Sequence, residues 1–255
     1  MCLFNESVEE VHNTSLFACL NNARNRQLLI YSNSVENSNK YNAMVLPVPN
    51  PHTITLHDMT SASKFFPDLE KCFKPPASYA RSLGAKHFDA NSKLVVHDVG
   101  SYLISIVPSI NDFSRLRTET FDFNLSENLK TFLAHYDHNF GYLVCRLKMG
   151  NVGYSPIAYS HNVLTPNELF YPTTHYHSDK AVVFYDGMEG DWDHNIYAPN
   201  MEFVNMPVDS IDKAYVNPYF GNIKIGFDFP NQYNAINRVV VTGNHPNRDV
   251  IIRCK

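Results

Sequence analysis

The second residue of the chain, Cys2, is the side chain best suited by its position to nucleophilic chemistry. Because this side chain is small, removal of Met1 would leave a thiol and a free α-amino group on one residue. An α-amine has a pKa of about 7.7–8.0 and can act as the base for its own nucleophile. Cys2 would then attack an amide or ester carbonyl, with His175 as the other candidate base. The alternative is that Cys2 is a small apolar residue opening an edge strand.

Histidines and an aspartate between residues 175 and 194 form a second reactive group. His175 and His177 are two residues apart, so in a strand both imidazoles lie on one face. Asp193 or His194 would supply a third ligand from beyond the intervening turn. Three protein ligands and an open position are typical of a catalytic zinc centre, which makes zinc the candidate cofactor. The alternative is that these histidines are ordinary sheet-surface residues with satisfied hydrogen bonds.

Several common functional classes are disfavoured by what the sequence lacks. It contains no GxGxxG, GxxxxGK[ST], GxSxG or HExxH pattern, which disfavours dinucleotide, P-loop, α/β-hydrolase and zincin activities. The formal net charge is -4, and no basic stripe of the kind that binds nucleic acid is present. We therefore expect no nucleic-acid partner.

Cysteine usage and hydropathy indicate a soluble protein of the cytoplasm. The five cysteines are odd in number and form no CxxC pair, which argues against a disulfide framework and favours a reducing compartment. The N-terminal segment lacks the cationic and apolar regions of a signal peptide. No stretch approaches the roughly 20 apolar residues that span a bilayer, so we expect no membrane association.

The distribution of residue types predicts an α+β protein that is mostly antiparallel β, a sheet sandwich with two or three short helices. The 255 residues are 44% apolar and 18% charged, as expected of one domain over 1–255. A loop is predicted over 73–89, and Gly100 is expected to turn a hairpin over 98–101. The predicted helices are 63–73 and 126–136, and a third, short turn is predicted at 109–116. Runs rich in β-branched and aromatic residues predict strands at 15–20, 27–32, 42–48, 93–99, 102–107, 141–147, 180–185, 222–229 and 238–242.

A series of short motifs extends over about the first four-fifths of the chain. They are CLF at 2–4, NTSLFA at 13–18, RQLLIYS at 26–32, AMVLPVP at 43–49, FFPDL at 65–69, VGSY at 99–102, VPS at 107–109, DF at 112–113, FGY at 140–142, LFYPT at 169–173, HYH at 175–177 and DH at 193–194. This pattern resembles a family of uncharacterised, mostly bacterial proteins that begin Met-Cys-x-Phe. The resemblance implies no activity, and it makes residues 201–255 a possible C-terminal extension to the family core.

The N-terminus is also similar to that of the N-terminal-nucleophile hydrolases of the choloylglycine hydrolase and penicillin V acylase type. Those enzymes begin Met-Cys and carry a Phe-Gly-Arg-Asn-like segment whose arginine supports the nucleophile. The matching segment here is FACLN at 17–21, in which Cys19 stands at the arginine position. The similarity implies that Cys2 is a nucleophile for amide hydrolysis, and the missing arginine argues against it.

Three functional hypotheses follow from these patterns. The first is a binding or structural module, with 15 Tyr and 17 Phe available for contact with a protein partner or in a homo-oligomer. The second is an N-terminal-cysteine hydrolase that uses Cys2 and His175. The third is a metal-dependent enzyme centred on His175, His177 and His194. If the chain has one site, we expect Cys2 and His175 to meet there.

Overall fold

The fold is described by a computed structural model that covers most of the chain. The described residues are 2–4, 10–36, 42–73, 93–147, 155–176, 189–199, 201–203, 212–215, 227 and 235–254. Within these ranges the chain forms sixteen strands, three α-helices and three short 3₁₀ turns. The α+β, mostly β fold class expected from the sequence is confirmed.

The strands have between 2 and 12 residues, and the helices have between 4 and 8. The strands are β1 Cys2–Phe4, β2 Glu10–Leu20, β3 Arg26–Glu36, β4 Ala43–Pro49, β5 Thr55–His57, β6 His97–Val99, β7 Tyr102–Val107, β8 Phe140–Leu147, β9 Ile157–Asn162, β10 Glu168–Tyr171, β11 His175–Tyr176, β12 Glu189–Ala198, β13 Met201–Phe203, β14 Asp212–Tyr215, β15 Ala235–Pro246 and β16 Val250–Cys254. The helices are α1 Phe65–Cys72, α2 Thr118–Phe121 and α3 Glu127–Leu133, and the 3₁₀ turns are Pro51–Thr53, Thr60–Ala62 and Ile110–Arg115. None of the helices in the described part of the chain has the length and apolarity needed to cross a membrane.

The strands form three sheets with mainly antiparallel neighbours. One sheet has the order β11-β1-β4-β8-β7-β6, the second β14-β15-β12-β2-β3-β9-β5, and the third β10-β16-β13. In the described ladders, β1–β11 and β2–β12 are parallel, and the other pairs are antiparallel. Strands β15 and β16, near the end of the chain, pair with β12 and β10 within these sheets.

Strand β2, in the middle of the seven-stranded sheet, is buried on both faces from Leu16 to Leu20. Along β2, Leu16 and Ala18 pack in a main core that they share with residues of the other two sheets, such as Leu46 of β4. The alternate residues Phe17 and Cys19 pack in a second, smaller core. Successive side chains of a strand point to opposite faces, so an unbroken apolar run is what a sheet covered on both sides requires.

Helix α1 covers the outer face of the seven-stranded sheet. Phe65, Phe66 and Leu69 are its buried residues, and the Phe65 ring packs edge-on against Phe17 of β2 at 5.4 Å. The helix predicted over 63–73 is therefore confirmed, with its first turn beginning at Phe65. The burial of its apolar face positions its C-terminal end beside β12 and β15.

Helix α3 begins where the sequence predicts it. The Ser126 side chain accepts a hydrogen bond from the Leu129 amide at 3.2 Å, which caps the N-terminus. Leu129, Phe132 and Leu133 are buried, and the Tyr142 hydroxyl of β8 donates to the Leu133 carbonyl at 2.8 Å. This bond satisfies one of the free carbonyls at the C-terminus, and the helix ends three residues earlier than predicted.

The other local predictions have different outcomes. The hairpin joining β6 to β7 turns at Gly100, whose φ of 55° lies in the left-handed region as expected. The short turn predicted over 109–116 is a 3₁₀ turn at Ile110–Arg115. The strand predicted over 93–99 begins only at His97. The strands predicted over 180–185 and 222–229 and the loop over 73–89 lie outside the described residues, apart from Phe227 and Phe73.

Candidate functional site

The N-terminal strand lies beside the histidine segment. Strand β1 pairs in parallel with β11, and the register places Cys2 opposite His175 and Leu3 opposite Tyr176. Neighbouring strands lie about 4.8 Å apart, so the backbones of the two candidate catalytic residues are adjacent. On its other side β1 pairs with β4, and Leu3 and Phe4 are buried in the main core. The Cys2 side chain is outside the described part of the structure, so its catalytic role stays a prediction.

Strand β11 is held in place by an amide side chain. The His175 amide donates to Asn247 Oδ1 at 2.7 Å, and Asn247 Nδ2 donates to the His175 carbonyl at 3.0 Å. The Asn247 side chain thus makes the two hydrogen bonds that a neighbouring strand would make. Gln27 plays the same part for β10, with Nε2 bonded to the Phe170 carbonyl and Oε1 to the Phe170 amide. No sequence pattern marks either amide for this role.

The segment before β11 is fastened by a buried carboxylate that the sequence analysis missed. Asp249 Oδ1 accepts hydrogen bonds from the amides of Thr173 and Thr174 and from the Thr174 hydroxyl, at 2.8, 3.0 and 2.6 Å. Its Oδ2 accepts from the Tyr136 hydroxyl at 2.7 Å. Burial raises the pKa of the Asp249 carboxyl, and these hydrogen bonds act in the opposite direction. The site therefore depends on a polar network that connects the end of α3 to the β15–β16 turn.

Two of the four candidate metal ligands are close neighbours. The ring centroids of His175 and His194 are 4.9 Å apart, although their strands belong to different sheets. Trp192 packs beside both, with centroid distances of 5.9 Å to His175 and 4.8 Å to His194. His194 is fully buried, and its Nδ1 accepts a hydrogen bond from the Asp193 amide at 3.3 Å. Because Nδ1 accepts this hydrogen bond, the proton of the neutral ring is on Nε2.

The third described candidate ligand, Asp193, faces the N-terminal part of β2. Asp193 Oδ2 accepts a hydrogen bond from the Thr14 amide at 3.4 Å, and Oδ1 lies 3.7 Å from His194 Nδ1. His177 lies outside the described residues. Among those that are described, no group of three His, Cys, Asp or Glu side chains is arranged to hold a metal ion. The zinc set of His175, His177, Asp193 and His194 stays a prediction.

The cysteines with described side chains are poor nucleophiles. Cys19, Cys145 and Cys254 are buried, and burial raises the pKa of each thiol, in Cys254 to about 11. Burial and the nearby Asp68 carboxylate raise the pKa of the half-buried Cys72. Cys19, which stands at the arginine position of the acylase pattern, packs in the core under α1. It cannot reproduce the support that the arginine gives.

The C-terminal end of α1 is joined to the seven-stranded sheet by an ion pair that the sequence analysis also missed. Arg238 Nη1 of β15 lies 2.7 Å from both carboxylate oxygens of Glu70. The Tyr197 hydroxyl of β12 donates to Glu70 Oε2 at 3.1 Å. The Arg238 guanidinium also lies over the Phe73 ring, 4.8 Å from its centroid. These contacts fix the point at which the chain leaves α1.

Comparison with known proteins identifies the fold. No family model matches the sequence. The crystal structure of baculovirus P35 is similar to this chain with a TM-score of 0.53 and 14% identity, covering 99% of each chain. The structure of a mutated baculovirus P35 after caspase cleavage is similar with a TM-score of 0.51 and 12% identity, covering 95% of this chain and 99% of that one. The resemblances to the bacterial family and the acylases stay predictions. The chain shares the β-rich fold of baculovirus P35 over nearly its whole length.

Proposed function

We propose that the chain is a protein-binding module whose partner is a protease of the caspase class. The observation that carries the proposal is the likeness to P35 over almost the full length of both chains, including a form of P35 that a caspase has cleaved. Fold likeness alone transfers no activity, so the function is inferred by analogy with that protein. This function agrees with the binding module that the sequence favours.

The connection after α1 supports this proposal. The sequence predicts a loop over 73–89, and long loops between elements of a compact protein are usually functional. Its start is held on the sheet by Glu70 and Arg238, as a rigid scaffold holds a binding loop. Asp89 is the aspartate of this predicted loop, and caspases cut peptides after aspartate. We propose that the partner engages the chain there.

The proposal is tested by adding the purified chain to active caspases and following the turnover of a peptide substrate. We expect the chain to reduce turnover in proportion to its concentration and to be cut after Asp89, as mapped by mass spectrometry. The Asp89→Ala variant should lose both effects. Asp98→Ala, which changes an exposed aspartate of β6, is the matched control and should behave as the wild type. Unchanged turnover and an uncut chain across the caspases tested would refute the proposal.

A second candidate is the N-terminal-cysteine hydrolase, which the pairing of Cys2 with His175 favours. In this activity the Cys2 thiolate attacks an amide or ester carbonyl, and its own amine or His175 accepts the thiol proton. Iodoacetamide labelling of the intact protein at limiting reagent tests it. The hydrolase requires Met1 to be absent and Cys2 to react faster than Cys72, the half-buried cysteine. A retained Met1, or labelling of Cys72 first, would exclude this candidate.

A further inference from the structure

The β15–β16 turn fastens the segment before β11 through one carboxyl group. Asp249 Oδ1 accepts hydrogen bonds from the amides of Thr173 and Thr174 and from the Thr174 hydroxyl. Asp249 Oδ2 accepts from the Tyr136 hydroxyl, which connects the turn to the end of α3. The Thr173 hydroxyl in turn accepts from the Val250 amide at 2.9 Å. The position of the segment therefore depends on the state of the Asp249 carboxyl.

The four donors to this carboxyl are neutral groups. Two are backbone amides and two are hydroxyls, so they stabilise an ionised carboxylate without cancelling its charge. Asp249 is half-buried as a residue, with its carboxyl turned inward toward Tyr136. A carboxylate loses hydration on burial, and burial raises the pKa of the Asp249 carboxyl. Burial thus favours the protonated form of the group, and the hydrogen bonds favour the ionised form.

The two hydroxyls allow the carboxyl to take up a proton and keep its partners. A hydroxyl both donates and accepts hydrogen bonds. With a proton on Asp249 Oδ2, the Tyr136 oxygen accepts over the same 2.7 Å, and the hydroxyl proton of Tyr136 turns to Thr174 Oγ1 at 3.5 Å. Thr174 still donates to Asp249 Oδ1 at 2.6 Å, and both amides keep their acceptor. The same network therefore holds the neutral carboxyl, and the charge on that carboxyl is removed.

Other titratable and charged groups of the described structure surround this network. They are Tyr136 at the end of α3, Tyr142 of β8, Tyr159 of β9, His175 of β11 and Arg248 of the turn. Burial raises the pKa of all three tyrosines, so each stays neutral in acid. Arg248 stays charged throughout. His175 is the group besides Asp249 whose charge can change as the pH falls below neutral.

We propose that Asp249 and Tyr136 form a proton-binding site that fastens the segment before β11 more tightly as the pH falls. When the segment opens, the carboxyl is hydrated and ionises as in the unfolded chain. When the segment is closed, the carboxyl binds a proton at a higher pH, so proton uptake favours the closed form. A rise in pH reverses the effect, because the ionised carboxylate gains hydration on opening. This device is independent of the proposed caspase function.

Hydrogen exchange of the Thr173 and Thr174 amides measures how tightly the segment is fastened. Exchange in the labelled full chain is followed by NMR from neutral to acid pH, and each rate is corrected for the intrinsic pH dependence of exchange. The side-chain carboxyl carbon of Asp249 is titrated in the same samples. We expect a carboxyl midpoint above the ordinary pKa of 3.8. Protection of the two amides should rise as the pH falls below this midpoint, by at most about tenfold per pH unit.

Two variants complete the test. Asp249→Asn imitates the neutral carboxyl and keeps His175, so protection of the two amides should no longer rise in acid. Asp137→Asn, which replaces an exposed aspartate next to Tyr136, is the matched control and should show the pH dependence of the wild type. The same pH dependence in Asp249→Asn would overturn the inference. So would a wild-type midpoint at or below 3.8, or wild-type protection that stays constant or falls in acid, and these two results decide even if Asp249→Asn does not fold.

Discussion

Replacement of Glu70 by alanine tests how the end of α1 is held. The carboxylate receives Arg238 Nη1 at 2.7 Å on both oxygens and the Tyr197 hydroxyl at 3.1 Å. Alanine is a good helix former, so Glu70→Ala leaves the helix propensity of α1 intact. The change in the free energy of unfolding therefore reports the lost contacts with β12 and β15.

The magnitude follows from the burial of the pair. The side chains of Arg238 and Glu70 are 17% and 30% exposed, which places them between a surface and a buried ion pair. A surface pair contributes about 0–1 kcal/mol, and breaking a buried pair costs about 3–5 kcal/mol. We expect Glu70→Ala to lower the free energy of unfolding by about 2 kcal/mol, since hydrogen bonds to charged groups contribute about 1.5–3 kcal/mol.

Equilibrium denaturation in urea, followed by circular dichroism, measures this change. The matched control is Lys71→Ala on the same helix, which breaks the Lys71–Asp68 pair, also 2.7 Å long but with a lysine side chain 49% exposed. Lys71→Ala should lower the free energy of unfolding by less than about 0.5 kcal/mol. If Glu70→Ala costs no more than Lys71→Ala, the ion pair does not hold α1 on the sheet and the reasoning is wrong.

Three further changes test the packing around the candidate site and the protonation state of a buried histidine. Leu3→Ala in β1 should lower the free energy of unfolding by about 2–5 kcal/mol, because the side chain is fully buried, and a loss under about 1 kcal/mol would contradict the insertion of β1 in the core. Asn247→Ala should lower the free energy of unfolding by about 1–2 kcal/mol and speed hydrogen exchange of the His175 amide. Unchanged exchange would mean that Asn247 does not hold β11. Burial lowers the pKa of His161 from 6.5 to about 4. Between these two pH values the unfolded chain binds a proton on His161 and the folded chain does not, so lowering the pH favours the unfolded chain. Between pH 7 and pH 4.5 the free energy of unfolding of the wild type should fall by up to about 3 kcal/mol, as measured by urea titration at each pH. His161→Gln should show a smaller fall. An equal fall in the wild type and the variant would show that His161 is not the cause.

Local chemistry made part of the fold predictable from the sequence. Ser126 before an apolar 3.6-residue period specifies the start of α3, and Gly100 specifies a turn that needs a positive φ. The run over 102–107 is rich in β-branched and aromatic residues. This composition predicted strand β7 with the bounds that the structure shows. These features depend on residues close to each other in the chain.

Strands with mixed composition escaped prediction. Strand β12, EGDWDHNIYA, carries acidic and amide residues that disfavour strands, and it forms because β2 and β15 flank it on both sides. Strand β9 was also missed, since His161 and Asn162 end a run of only four apolar or small residues. Strand β9 forms because its backbone pairs with β3, although its own residues have little preference for a strand.

The candidate site was predictable only in part for the same reason. The sequence indicated Cys2 and His175, and their strands are neighbours. It gave no sign of Asp249 or Asn247, because an isolated Asp and Asn in a turn have no spacing that reveals hydrogen bonds to residues about 75 positions earlier. The Glu70–Arg238 pair spans 168 positions and leaves no pattern either.

The proposed function requires that this P35-like chain bind a caspase. Size-exclusion chromatography with light scattering on a mixture of the full chain and an active caspase tests it most directly. We expect one species whose mass is the sum of the two proteins, formed by the wild type and lost with Asp89→Ala. Two separate peaks at their individual masses, for every caspase tried and at concentrations well above those of the inhibition assay, would contradict it.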